Sequence, residues 1–211
     1  MCNIENKIKD EELLKFLKFS YFGDLNISIE VASKRAYRDM NRTIRFNELS
    51  TDEIRLELRE KVKNIFETEI KKLTKNNITN QEEFDVWHCD VCKMIKSFYL
   101  NEGIEFTYGQ AQKWINMTIK YLYILNIYSF DDVFKCLHIP VDNYIFDAVE
   151  KELEIDRPRN AWSRWDNYDE YLNYQNDIRK KLKEEKNISP LRWEFENWLN
   201  EAEKEAQKVK K

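Results

Sequence analysis

The scarcity of turn-forming residues limits what this chain can fold into more than any other feature of its sequence. Its 211 residues include only three glycines and three prolines, about a quarter of the roughly 12% that average usage gives. β-Hairpins and collagen-like repeats need many such residues, so all-β and collagen-like folds are excluded. The composition is 35% charged and 42% hydrophobic, which is typical of amphipathic helices, and 14% is aromatic, which excludes global disorder. The sequence predicts an all-α, compact globule of several helices.

Apolar periodicity and helix-start signals recur along the whole chain and predict a single all-α domain over residues 1–211. Pro190 stands where a helix would begin, at the position that suits proline. Capping boxes are predicted at residues 50–53, 79–82 and 107–110. The predicted helices cover residues 8–19, 28–40, 51–75, 79–100, 107–126, 130–136, 143–153, 165–185 and 190–208.

The sequence favours a reduced, cytoplasmic protein without a membrane partner. It contains no apolar run of 18 residues, and its first residues have neither the basic flank nor the apolar segment of a signal peptide. Its four cysteines are Cys2, Cys89, Cys92 and Cys136. They are too few for a disulfide scaffold in a chain with a large core. No cofactor-binding motif is apparent, so we expect no cofactor.

Charge is unevenly distributed along the chain. The net charge is 35 − 39 = −4, which argues against a generally basic surface. Residues 34–45, however, hold five basic residues against one acid, giving +4 locally. Arg35, Arg38 and Arg42 in this stretch are candidates for phosphate binding, and a solvated helix face is the alternative interpretation.

The predicted helix over residues 107–126 is apolar around most of its circumference. Lys113, Asn116 and Lys120 form a narrow polar stripe on it at spacings of i, i+3 and i+7. A lysine that is costly to charge in a buried cleft can act as a nucleophile. The alternative is that both lysines reach water from the edge of the helix.

These residues carry a resemblance to a known family. The helix-hairpin-helix DNA glycosylases have a Leu-Pro-Gly-Val-Gly-x-Lys hairpin before a helix and a later Val-Asp-Thr-His segment that opens another helix. Residues 107–113 of this chain, Thr-Tyr-Gly-Gln-Ala-Gln-Lys, are similar to the hairpin, and residues 140–146, which begin Pro-Val-Asp-Asn, are similar to the second segment. Asn116 matches the Lys-x-x-Asn of the endonuclease-III-like branch. The similar region covers residues 101–150.

The resemblance implies a two-lobed helical fold that binds duplex DNA and removes a damaged or modified base, such as 8-oxoguanine. Lys113 would form a Schiff base with the sugar, and Asp142 would accept protons and stabilise the cationic sugar. The base would be flipped into a pocket with aromatic walls. The implied DNA contacts are Gly109, Gln110, Ala111, Gln112, Lys120, Arg35, Arg38 and Arg42, and the implied base pocket is formed by Trp114, Asn116, Trp162 and Trp165.

The chain also departs from the family pattern. Leu-Pro is replaced by Thr107-Tyr108, and the second hairpin glycine is Ala111. The interval between Lys113 and Asp142 is longer than usual by one short helix, as in the archaeal 8-oxoguanine glycosylases. No four-cysteine iron–sulfur loop follows Asp142. A non-enzymatic helical DNA-binding or protein-interaction module is therefore the main alternative, and an unrelated helical protein is the third.

Two further interpretations of individual residues stay open. Asp142 can serve as the N-cap of the following helix, a role compatible with catalysis, and the tryptophans of the implied pocket can instead be core residues. Cys89, Cys92, Cys136 and His138 could form a four-ligand zinc site. Because the first two stand at i and i+3 of a predicted helix, where buried thiols are common, we expect no metal.

Overall fold

The computed structural model describes residues 9–75 and 78–208, and within them it contains helices, turns and loops without a β-strand. This confirms the predicted all-α class. None of the described helices is long and apolar enough to cross a lipid bilayer. The α-helices are α1 (Asp10–Phe22), α2 (Ile29–Met40), α3 (Asp52–Leu73), α4 (Gln81–Asn101), α5 (Tyr108–Ile124), α6 (Asn143–Leu153), α7 (Tyr168–Glu185) and α8 (Pro190–Lys208).

Side-chain caps begin most of these helices, as their sequences predict. The capping box at Thr107 is confirmed, with the Gln110 amide N–H donating to the Thr107 hydroxyl and the Gln110 side chain accepting from the Thr107 N–H. At the other two predicted boxes the cap lies one residue later than the first residue of the box, at Thr51 for α3 and at Asn80 for α4. The caps satisfy backbone groups that a helix end otherwise leaves unpaired.

Three helix boundaries differ from the prediction. The first helix was expected over 8–19, but it covers Asp10–Phe22, and residue 8 lies outside the described residues. The helix predicted over 130–136 is wrong: only Phe134–Cys136 form a 3₁₀ turn, since a segment this short cannot offset the cost of helix nucleation. α7 begins at Tyr168 rather than 165, because the preceding residues form a 3₁₀ turn at Trp162–Arg164.

Helix α5 lies at the centre of the fold. Every residue from Gly109 to Leu122 is buried, which agrees with the apolar circumference of its sequence. α2 packs along it, and α3, α4, α7 and α8 surround this pair in one continuous core. Lys113 and Lys120 are thereby fixed on the most rigid element of the molecule.

The 3₁₀ turn at Trp162–Arg164 lies directly against the first turn of α5. The Gly109 N–H donates to the Trp165 carbonyl at 2.9 Å, and the Thr107 hydroxyl donates to the Ser163 carbonyl at 2.9 Å. A Cβ atom added at Gly109 would lie 1.7 Å from the Trp162 carbonyl oxygen, inside van der Waals contact. Glycine at position 109 therefore allows this close backbone approach.

We expect Gly109→Ala to lower the free energy of unfolding by about 3 kcal/mol, because the added methyl group must displace backbone atoms in a packed core. Gly23→Ala is the comparison. Gly23 has φ of +77° but nothing within 4 Å of an added Cβ, so the cost there is about 1 kcal/mol of backbone strain. Urea denaturation of both variants measures the difference. A smaller loss in Gly109→Ala than in Gly23→Ala would contradict the close approach.

Candidate functional site

The two residues predicted to be catalytic lie in contact. The Lys113 ammonium on α5 is 2.7 Å from Asp142 Oδ2 and 3.3 Å from the Pro140 carbonyl oxygen. The other carboxylate oxygen, Asp142 Oδ1, accepts the Ile145 backbone N–H at 3.0 Å and caps α6. The predicted N-cap is confirmed, and it holds the carboxylate so that its second oxygen faces Lys113.

Helix α8 supplies partners to this pair that the sequence did not reveal. The indole N–H of Trp198 donates to Asp142 Oδ2 at 3.2 Å. Glu194 and Trp198 stand one helical turn apart, a spacing that indicates a shared face. Nothing in the sequence, however, indicates that this face packs against α5 and Asp142.

A second ion pair lies two turns along α5 from the first. The Lys120 ammonium is 2.7 Å from both carboxylate oxygens of Glu194, and its nitrogen is 5.5 Å from the centre of the Trp198 ring. Burial raises the pKa of Glu194, and the charge of Lys120 opposes that rise. Trp198 thus lies between the two ion pairs, contacting one through its N–H and the other through its ring.

Lys113, Lys120, Asp142 and Trp198 line a cleft of about 1060 Å³ with walls from α1, α2, α5, α8 and the start of α6. The cleft is of the size that small-molecule and cofactor sites have. Apolar side chains of α1 and α8 form its rim. Seven of the fourteen site residues predicted from sequence line it: Arg35, Arg38, Arg42, Lys113, Lys120, Asp142 and Trp162.

The three arginines differ in how firmly the protein holds them. Arg35 pairs with Asp39 at 2.7 Å, and its guanidinium carbon is 4.0 Å from the centre of the Tyr21 ring. Burial raises the pKa of Asp39, although Arg35 and a hydrogen bond from the Tyr121 hydroxyl oppose it. Arg38 and Arg42 are exposed and have no carboxylate partner within the described residues. Their charge is available to an anionic ligand.

The residues of the predicted DNA-binding hairpin do not lie on this surface. Gly109, Gln110, Ala111 and Gln112 are buried, and the Gly109 N–H is bonded to the Trp165 carbonyl. The reason is that the 3₁₀ turn before α7 covers the start of α5. The structure therefore corrects their assignment as DNA contacts and gives them roles in packing.

Three of the four residues predicted for the base pocket also lie outside the cleft. Trp114 is 1% exposed in the core and donates its indole N–H to Ser33, and Trp165 is fully buried. Asn116 accepts a hydrogen bond from His88 at 3.1 Å in the interior. These three residues therefore do not line the cleft. Of the polar stripe on α5, Lys113 and Lys120 reach the cleft, whereas Asn116 contacts the buried His88 instead.

Two glutamine side chains fix the segment that leads to Asp142. Gln112 accepts the Val141 N–H at 3.3 Å and donates to the Val141 carbonyl at 3.1 Å. Gln175 does the same for Ile139, at 3.3 and 2.9 Å. Each primary amide thus makes the pair of hydrogen bonds that a peptide group of a neighbouring strand would make in a β-sheet. This pairing satisfies the buried backbone and sets the position of Asp142 relative to Lys113.

His138, at the start of this segment, belongs to a buried polar network. Its Nε2 lies 2.7 Å from Asp85 Oδ1, its Nδ1 lies 2.8 Å from the Tyr171 hydroxyl, and Arg179 donates to both Asp85 oxygens. Burial lowers the pKa of His138 below its ordinary value of 6.5. Burial alone would raise the pKa of Asp85, but the hydrogen bonds from His138 and Arg179 outweigh it and lower that pKa. The network therefore contains a neutral imidazole beside a carboxylate.

The residues considered for a zinc site are engaged differently. Cys92 and His138 are buried, and His138 is occupied by its two hydrogen bonds. In the part of the chain that the structure describes, no three His, Cys, Asp or Glu side chains are arranged to hold a metal ion. Cys2 lies outside the described residues.

Comparisons with protein-family models, curated proteins and solved structures find no match to this chain.

The buried imidazole predicts acid sensitivity. The folded state keeps His138 neutral, whereas the unfolded chain takes up a proton below its ordinary pKa of 6.5, so His138 costs stability as the pH falls through that value. We expect the free energy of unfolding to depend less steeply on pH in His138→Gln than in wild type between about pH 7 and pH 5, by up to about 1.4 kcal/mol per pH unit.

Denaturation series at several pH values measure this slope. His138→Gln will also be less stable at neutral pH because it loses its bond to Asp85, so the slope rather than the midpoint is the readout. Equal slopes for the two proteins would contradict a neutral His138.

Proposed function

We propose that the protein is a DNA glycosylase with lyase activity that removes an oxidised or modified purine, with Lys113 as the nucleophile. The observation that carries the proposal is the contact between Lys113 and Asp142, two residues 29 positions apart that meet at 2.7 Å on the wall of one cleft. The resemblance implies this pair. Its convergence in a cleft with exposed arginines is the arrangement that such a reaction needs.

The chemistry assigned to the pair begins with a proton transfer. Lys113 donates a proton to Asp142, and the neutral amine attacks C1′ of the deoxyribose. A bond forms between the lysine nitrogen and C1′ while the bond from C1′ to the base nitrogen breaks. The base leaves with the electron pair and takes the proton that Asp142 received from Lys113. The attached lysine nitrogen then passes a proton to the ring oxygen as the C1′–O4′ bond breaks, which gives a protonated Schiff base. The Asp142 carboxylate removes a C2′ proton, the C3′–O bond breaks, the 3′ phosphate leaves and the strand is nicked.

The cationic and aromatic lining of the cleft supports a purine as the base. Lys120 lines the cleft and offers an ammonium donor, and a guanine-type edge presents the carbonyl acceptor that such a donor can bind. The Trp198 ring between the two pairs offers a surface on which a flipped base can stack. We therefore select 8-oxoguanine as the first substrate to test.

One alternative function is favoured by a specific observation. Lys113 is 4% exposed and its ammonium already has two oxygen partners, Asp142 and Pro140. The same geometry would serve a structural ion pair in a non-enzymatic DNA-binding or protein-interaction module. The two functions differ in whether Lys113 forms a covalent bond with a substrate.

Borohydride trapping distinguishes them. We expect wild type to form a covalent adduct with DNA that contains 8-oxoguanine, because borohydride reduces the Schiff base to a stable amine. Lys113→Gln should form none, and Asp142→Asn should form adduct at least about 10²-fold more slowly, since proton transfer by a positioned group contributes that much. Denaturing electrophoresis measures the adduct.

The matched control is Lys93→Gln, which removes an exposed lysine that pairs with Asp90 away from the cleft and should trap normally. Oligonucleotides with other oxidised or alkylated purines extend the assay. Failure of wild type to form an adduct with any of them would overturn the lyase mechanism.

A separate prediction concerns Trp198. We expect Trp198→Phe to slow base excision roughly tenfold while changing DNA affinity little, because the ring remains but the N–H that holds Asp142 is lost. Trp87→Phe is a close control, since the Trp87 indole also donates to a carboxylate, Glu69, at 3.2 Å but outside the cleft. Single-turnover rates and fluorescence anisotropy separate the two effects. Equal rates in both variants would contradict a positioning role for Trp198.

A further inference from the structure

A second groove, of about 330 Å³, lies between α2 and α3 on the far side of Arg38 from the main cleft. Arg38 lines both. The groove and the cleft therefore share one arginine side chain. Two of the groove's lining residues have predicted roles, Arg38 as a DNA contact and Trp114 in the base pocket, but the proposed reaction does not use the groove.

The walls of this groove are rich in cations. Lys34 pairs with Glu30 on α2, and Lys63 pairs with Glu60 on α3. Arg38 and Arg59 have no carboxylate partner within the described residues. Two guanidinium groups thus face one groove without an acid to neutralise them, and guanidinium groups are well suited to phosphate.

The floor of the groove is aromatic and polar. Tyr37, Trp114, Ser33 and Asn41 are among its lining residues. The first three are at most 7% exposed, so they close the groove rather than present a ring face to a base. The guanidinium carbon of Arg59 lies 5.5 Å from the centre of the Tyr37 ring, which restrains the side chain without removing its charge. Arginines without an acidic partner can hold the phosphates of a nucleic-acid strand.

The family resemblance implies that residues 109–112 contact a DNA strand, but these residues are buried. A bound strand must therefore be held elsewhere. The first turn of α5 is covered by the 3₁₀ turn at Trp162–Arg164, so it presents no amides to a phosphate. The cations of the cleft without a carboxylate partner within the described residues lie on the α1–α2 side, at Lys18, Arg38 and Arg42. On the α6 side, the cation lining the cleft is Arg157, and it is paired with Asp147.

We infer that the α2–α3 groove binds the sugar-phosphate backbone of a single DNA strand next to the nucleotide held in the cleft. The strand would leave the cleft over Arg38 and continue past Arg59. The groove is lined by four cations and two acids from its two walls, and this excess of positive charge in one narrow groove suits the phosphate backbone of one strand. The inference rests on the proposed function, since it assigns the nucleotides that flank the site of reaction.

The test compares two single-stranded oligonucleotides, a trinucleotide and a dodecamer, each labelled and each with a central non-cleavable abasic analogue. We expect Arg59→Gln to weaken binding of the dodecamer about fivefold and to lower the salt dependence of its log Kd by about 0.7, the value for one lost contact with a single strand. Binding of the trinucleotide should not change. Fluorescence anisotropy over a range of salt concentrations measures both.

Three controls make the result specific. Arg192→Gln removes an exposed arginine of α8 that pairs with Glu196, and it should bind like wild type. Arg59→Lys retains the charge, so it should keep the salt dependence. Thermal melting of Arg59→Gln shows whether the fold is intact, and an unchanged trinucleotide affinity reports the same for the cleft.

The outcomes separate this inference from the proposed function. If Arg59→Gln binds the dodecamer as wild type does while trapping by Lys113 persists, the groove is not used and the glycosylase assignment stands. If Arg59→Gln weakens dodecamer binding but no adduct is ever trapped, the groove is supported and the lyase mechanism fails. Failure of wild type to bind the dodecamer more tightly than the trinucleotide overturns the inference.

Discussion

The arrangement of the whole site depends on the pairing between α5 and the extended segment that precedes α6. Residues 138–141 pass through the interior, where each peptide group must find a hydrogen-bond partner. Helices cannot offer backbone partners to such a segment, so Gln112 and Gln175 supply amides from their side chains. Asp142 emerges from this pairing at the end of the buried segment, next to Lys113. The ion pair in the cleft is therefore set by contacts that do not themselves touch a ligand.

The same central helix serves two environments. One side of α5 carries Lys113 and Lys120 toward the cleft, and each lysine meets a carboxylate from a different helix. The other side carries Asn116 toward the buried histidines. Both sides are polar within an otherwise apolar core, and each polar group there is matched by a partner, as the cost of burying unpaired polar groups requires. Because Lys113, Asn116 and Lys120 are each bonded to a neighbouring segment, their side chains have little freedom to move.

The all-α fold follows from sequence because it depends on local signals. Residue periodicity and caps define α2 to α6 and α8 within a few residues. Contact between Lys113 and Asp142 was also expected, but from a resemblance rather than from spacing. The contributions of Glu194 and Trp198 could not be predicted, because they depend on the angle at which α8 crosses α5. The same holds for Gly109: the sequence marks an unusual residue, but only the fold shows that a peptide carbonyl, rather than a phosphate, lies against it.

The two glutamines that pair with the buried segment have a consequence for how the site tolerates change. Each primary amide donates through nitrogen and accepts through oxygen at the same peptide group. Glutamate at either position would have the same shape but no donor, and it would place one carboxylate oxygen against the backbone carbonyl oxygen. Leucine would fill the same volume and leave both backbone groups unpaired. The geometry of the cleft therefore depends on one hydrogen-bond donor and one acceptor in each glutamine side chain. A substitution that preserves only the size of the side chain would not preserve this pairing.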